Sequence, residues 1–279
     1  MMRWSERQIV MLMEMGLRPW APPEPAEPDA NGNGFRHPSA RGEPLAEHPQ
    51  APAERAAPVR MDPVVRRDDG RGGAARGDVS TMDWPTLREA VAACTACGLC
   101  EGRRNTVFGV GHPHAHWMVV GEAPGQQEDI QGEPFVGKSG QLLDHMLRAV
   151  GLSRHAAADG ADEPARQVFI ANTLKCRPPG NRNPQPQELA QCEPFLIRQI
   201  ELVQPKIILA MGRFAVQSLL RSDEPIGRLR GRVHHYHGVP LVVTYHPAYL
   251  LRNPEDKARA WDDLCLAAET VRAGATPSA

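Results

Sequence analysis

Thiols are the first residues in this chain whose spacing suggests chemistry. Cys94-x-x-Cys97 offers two thiolates to one metal centre, and Cys176 with Cys192, sixteen positions apart, supplies two more. Four thiolates suit either a structural zinc or an iron-sulfur cluster. Spacing alone fits equally well a redox or chance CxxC with two unrelated buried thiols. Cys100 is a fifth candidate, and Cys265 falls on the last predicted helix as a core residue.

Gly132–Ser139 reads GEPFVGKS, which matches the phosphate-cradling pattern G-x-x-x-x-G-K-[ST] letter for letter. Such a loop must leave a buried strand directly, yet the polar, turn-prone PGQQEDIQ precedes it. No later strand ends in an apolar run and an aspartate that would hold magnesium, so the nucleotide-hydrolase reading is rejected. His112, His114 and His116, like His234, His235 and His237, alternate along the chain. No cysteine or carboxylate accompanies them, and they read as surface or strand-flanking histidines. His246 differs, because His-Pro follows an apolar run directly.

These groups need a scaffold. Asp83 caps a predicted helix through Leu87, Ala90 and Val91 that delivers the cysteines. HWMVV (116–120) reads as a buried strand breaking into a loop at Gly121. A helix through Leu142, Leu143, Met146 and Leu147 closes at Gly151, and Val168–Ala171 is the next strand. Pro186–Val203 reads as a helix kinked or restarted near Pro194. KIILA (206–210) and LVVT (241–244) are two more strands, with helices through Phe214–Leu220 and Glu255–Val271. Strands alternating with helices predict an α/β fold: a three-layer αβα sandwich around a mainly parallel four-stranded sheet. Ligands in such folds bind beyond the carboxyl ends of the strands. That rim carries Glu122–Phe135, Asn172–Asn183, Gly212 and His246.

Composition sets the limits. Apolar residues make up 41 % and charged residues 23 %, as in soluble proteins, but 27 prolines and 25 glycines are an excess. Eleven of the prolines lie in residues 1–82. Residues 21–82 are therefore expected to be a disordered linker, 83–273 the folded domain and 274–279 a disordered tail. The net charge of −1, with 21 basic and 21 acidic residues from position 83 onward, argues against a globally basic nucleic-acid binder. Local clusters such as Lys175, Arg177 and Arg182 still allow a basic groove. No apolar run is long enough to span a bilayer or form a signal-peptide core, so no membrane contact and a cytoplasmic location are expected.

The runs GEAPGQQEDIQGEPFVGKSGQLLDHML (121–147), NTLKCRPPGNRNP (172–184) and HPAYLLRNP (246–254), with CTAC at 94–97, resemble the type-4 uracil-DNA glycosylases. The similarity extends over roughly residues 85–265. It implies removal of uracil from DNA in base-excision repair, an αβα sandwich, and a [4Fe-4S] cluster in preference to zinc. Its ligands would be Cys94, Cys97, Cys176 and Cys192, with Cys100 a bystander.

The resemblance also assigns roles. Phe135 would stack on the flipped uracil, and Asn172 would read its O4 and N3 edge. His246 would donate to O2, and Glu122 would orient the attacking water. Glu128 and Asn181 match further polar positions near the site, and Leu250 or Leu251 would fill the gap left by the base. The best-known uracil-DNA glycosylases carry an aspartate where this chain has Ala123, so the carboxylate must come from elsewhere. The basic insertion ending in histidine that marks a covalently trapping branch is missing from CRPPGNRNP, which favours turnover. The rival reading is a uracil-DNA or damaged-DNA binding module with a structural metal cluster and no turnover.

Residues 4–20, WSERQIVMLMEMGLRPW, form a separate amphipathic segment. Its apolar residues cannot bury themselves in so short a helix, so a partner is expected. The spacing of Leu12, Met15, Gly16, Leu17 and Trp20 resembles the N-terminal peptide of the psi subunit of bacterial DNA polymerase III. That implies contact with the replisome or clamp loader. The enzyme is otherwise expected to act as a monomer on uracil-containing DNA, associated with the nucleoid through it.

Overall fold

A computed structural model describes residues 78–155 and 163–274. The segment 4–20 and most of the expected linker and tail lie outside the described residues.

The strands are β1 (Val110–Gly111), β2 (Trp117–Gly121), β3 (Val168–Asn172), β4 (Ile207–Met211), β5 (Val233–Tyr236) and β6 (Val239–Thr244). They form one sheet in the order β1-β3-β2-β4-β6-β5. The inner four are parallel, and β1 and β5 add antiparallel edges. The expected parallel four-stranded core is present, and among the described residues the sheet is six strands wide. Both edges escape a reading based on apolar runs: β1 has two residues, and β5 (VHHY) carries two histidines. A turn at His237 and Gly238, both at positive φ (47° and 81°), folds β5 onto β6.

The helices are α1 (Trp84–Ala92), α2 (Leu99–Gly102), α3 (Gln126–Gln131), α4 (Gly137–Ala149), α5 (Pro186–Val203), α6 (Arg213–Leu220), α7 (Ile226–Leu229), α8 (Pro247–Arg252) and α9 (Lys257–Gly274). The alternation of side chains along each strand sorts them into two cores. Met118, Val120, Phe169, Ala171, Ile208, Ala210, Leu241 and Val243 face α1, α5 and α6. Trp117, Val119, Val168, Ile170, Ile207, Leu209 and Val242 face α4, α8 and α9. The three-layer sandwich follows from sheet residues that are apolar on both faces.

Two expectations change. The helix expected to break near Pro194 runs continuously from Pro186 to Val203. Ala190 and Pro194 are both exposed, so a carbonyl without its i+4 donor can face water there. The linker boundary at 82 also moves back. Val79 is buried in the core beside Met82, and Arg198 Nε donates to the Met82 carbonyl at 2.6 Å.

Parallel register brings the strand ends level. Gly121 pairs with Asn172, and Met211 pairs with Thr244. The residues that follow them therefore meet on one rim.

Candidate active site

On this rim a cleft of about 470 Å³ is lined by Glu122, Phe135, Asn172, Asn181, His246 and Tyr249, among others. Its size is in the range usual for small-ligand sites. A second cleft adjoins it, and Glu122, His246 and Tyr249 belong to both walls.

Phe135 sits in left-handed backbone (φ 52°), a conformation disfavoured for a bulky residue unless its surroundings impose it. Three contacts do so. Arg154 Nη1 donates to the carbonyls of Pro134 (3.0 Å) and Phe135 (3.1 Å) while its Nε is paired with Asp144 at 2.6 Å. The Glu128 carboxylate accepts from Gly125 N and Val136 N, both at 3.1 Å. Gly140 in α4 packs on the Phe135 carbonyl, where a Cβ would come within 1.8 Å of the oxygen. The ring is thereby held over the end of β2, stacked with His246 at 5.2 Å and 24°.

Asn172 is buried at the end of β3, where it lines the cleft. Its backbone carbonyl accepts from Lys175 Nζ at 2.8 Å, and Lys175 Nζ also donates to Gln199 Oε1 at 2.6 Å. Lys175 is only 1 % exposed, so burial holds its ammonium down to about 8.

His246 caps α8: its Nδ1 accepts from Ala248 N at 3.1 Å. Burial, aided by the nearby Arg252 charge, pushes its pKa down to about 4. The ring is therefore neutral near pH 7, and with Nδ1 accepting, the proton resides on Nε2. Among the described residues Glu122 has no side-chain hydrogen-bond partner, and burial raises its carboxyl to about 7.

The cysteines gather elsewhere. Cys94, Cys97, Cys100, Cys176 and Cys192 line one cavity between the α1–α2 segment, the loop after β3, and α5. Arg103 Nη1 donates to the Cys94 carbonyl (2.7 Å) and to Cys176 Sγ (3.2 Å), tying the two walls together. Lys175 N donates to Cys192 Sγ at 3.3 Å. Through Lys175 the thiol cavity and the end of β3 share one buried residue.

Residues 108–265 match the family model described as the Uracil DNA glycosylase superfamily, more than half of the chain. The chain belongs to that superfamily. Relatives within it include the type-4 uracil-DNA glycosylase of Archaeoglobus fulgidus, 39 % identical over 59 % of this chain and 81 % of the relative. That of Pyrobaculum aerophilum is 38 % identical over 66 % and 93 %, and that of Thermotoga maritima 40 % over 62 % and 85 %.

Of the residues singled out from the sequence, Glu122, Phe135, Asn172 and His246 line this one cleft. Glu128 and Asn181 also line the cleft, where both Glu128 carboxylate oxygens and Asn181 Oδ1 already accept hydrogen bonds. Glu128 holds loop amides, and Asn181 Oδ1 accepts from Arg177 Nε at 2.7 Å. Leu250 does not reach solvent at all; it packs under α8 against α4 and cannot enter DNA. Leu251, 43 % exposed, occupies the outward position. The phosphate-loop lookalike follows α3 rather than a strand, consistent with its rejection. Sequence reasoning missed Tyr249 and Arg252, which line the cleft three and six positions after His246, a helical spacing that could have flagged them. It also missed Gly121, whose lack of a side chain leaves room for Phe135 and Asn172.

Proposed function

We propose that this chain is a uracil-DNA glycosylase that hydrolyses the bond between uracil N1 and deoxyribose C1′, with water as nucleophile, and leaves an abasic site. The observation that carries this reading is a neutral His246 with its Nε2 proton directed away from its cap, stacked on Phe135 in a cleft that also holds Asn172 and Glu122. A base in a duplex is inaccessible, so uracil must leave the stack and enter the cleft, at a cost that is lowest for a mispaired base.

Phe135 supplies the stacking face. The Asn172 amide can donate to uracil O4 and accept from N3–H, a pairing that cytosine, with an amine and no N3 proton, cannot make. As the bond breaks, negative charge grows on the base and positive charge on the sugar. His246 Nε2–H donates to O2, and a neutral donor suits this role because it needs no charged ring in a buried site. Glu122 lies between the two clefts, where its carboxylate can orient water and face the cationic sugar. Leu251 fills the gap left in the stack.

The thiol cavity fits a [4Fe-4S] cluster held by Cys94, Cys97, Cys176 and Cys192. Four thiolates would satisfy it, and Arg103 and the Lys175 amide already donate to two of the sulfurs. The resemblance of the cysteine-bearing runs to the type-4 enzymes is what favours a cluster over a single zinc ion. The cluster's contribution would be to staple the segment after β3 that carries Lys175 and Asn181. Removing it by chelation should raise hydrogen exchange across residues 172–192.

Residues 4–20 would tether the enzyme to a replisome component and raise its local concentration. A carrier-fused peptide that recovers no such component would remove this part of the reading.

The test of the central reading is alkali-revealed cleavage of an oligonucleotide with one uracil, against a thymine control. His246→Ala is expected to lower the single-turnover rate by about 10²- to 10³-fold. Uracil-DNA bound without cleavage by the wild type would overturn turnover.

A further inference from the structure

The cavity holding the four expected cluster ligands has a fifth thiol in its wall, that of Cys100. Cys100 completes the run Cys94-x-x-Cys97-x-x-Cys100. This is the spacing at which bacterial ferredoxins bind cluster corners with successive cysteines. Cys100 lies on α2, and its backbone N–H donates to the Cys97 carbonyl at 3.2 Å, so one turn carries both residues. Cys94, Cys97 and Cys100 are half-buried, whereas Cys176 and Cys192 are buried on the opposing walls. The α1–α2 segment thus brings three thiols to the cavity, and the other two walls bring one each.

We propose that Cys100 is a reserve ligand that occupies the Cys97 corner of the cluster when the Cys97 thiolate is lost. This rests on the cluster reading above. The exchange is a ligand substitution: the bond from iron to Cys97 sulfur is absent or breaks, one from iron to Cys100 sulfur forms, and the Cys100 thiol proton passes to solvent or to the departing thiolate. No electron moves. Cys192 has no such neighbour on its helix and serves as the internal contrast.

The test measures iron and acid-labile sulfide per chain, with the visible absorbance of the cluster, in the full-length protein after anaerobic reconstitution. Cys97→Ser and Cys100→Ser are each expected to keep iron within about twofold of wild type. The double variant and Cys192→Ser are expected to lose it about tenfold or more while far-ultraviolet circular dichroism reports a folded chain. Loss of the cluster from Cys97→Ser as complete as from the double variant would overturn the reserve role, as would a double variant that keeps it. A wild type that takes up no iron would instead bring down the cluster reading itself, a result distinguishable from either.

Discussion

An alanine methyl at position 121 would lie 2.5 Å from Asn172 Oδ1 and 2.5 Å from the Phe135 ring. Both are groups that would hold the base in the proposed reaction, so Gly121→Ala should displace them and cut the excision rate by about 100-fold while costing about 1–3 kcal/mol of stability. Single-turnover kinetics and denaturant melts on one preparation separate the two effects. Glu122 has the opposite sign. Its folded carboxyl titrates near 7, above its ordinary 4.5, so the protein is most stable below the unfolded value and loses that contribution as pH rises through 7. In the proposed reaction the carboxylate is the working form, so the rate should rise with pH through about 7. Glu122→Gln is expected to abolish that limb, lower the rate, and stabilise the fold by about 1–2 kcal/mol at pH 8, after allowing for partial solvent screening. No gain is expected at pH 4. A melting temperature unchanged at pH 8 would show that Glu122 is not held in a desolvated site.

At the scale of elements, α8 does two jobs with adjacent leucines. Leu250 is fully buried against α4, and Leu251 is exposed next in sequence to Arg252, which lines the cleft. Leu250→Ala should cost about 2–5 kcal/mol in denaturant melts through lost burial and a residual cavity. Leu251→Ala should leave stability within about 0.5 kcal/mol and slow excision from duplex DNA more than from single strands, because only the duplex leaves a gap to fill. Equal losses on both substrates would exclude a wedge role. The loop between α3 and α4 shows how an element is held for function. Glu128, Arg154 and Gly140 together fix a phenylalanine in left-handed backbone, and each contact comes from a different part of the chain.

For the whole molecule, the described residues 78–155 and 163–274 supply two apolar layers and the cleft. A chain beginning at residue 78 should therefore melt cooperatively and excise uracil from a free oligonucleotide at an undiminished rate. A truncated chain that melts without cooperativity would place part of the core upstream. Basic and acidic residues balance across this region, so binding should rely on a few local phosphate contacts near Arg177 and Arg252 rather than on a general positive field.

Much of this was legible in the chain itself. Central strands of parallel sheets are buried on both faces and read as short apolar runs, so β2, β3, β4 and β6 announced themselves, as did the rim where they end. Glu122, Phe135, Asn172 and His246 lie in long motifs on that rim, and the resemblance carried by those motifs, not the cysteine spacing, pointed to a shared thiol centre. Edge strands β1 and β5 were silent because one is two residues long and the other is polar where it meets solvent. Tertiary structure alone decided which of two adjacent leucines faces outward, since helical rotation about α8 assigns one to the core. It also decided that Glu128 serves the loop, that Arg154 and Lys175 are structural ties, and that Gly121 must be bare. Each of these depends on atoms brought together from distant positions, and no local pattern encodes such distances.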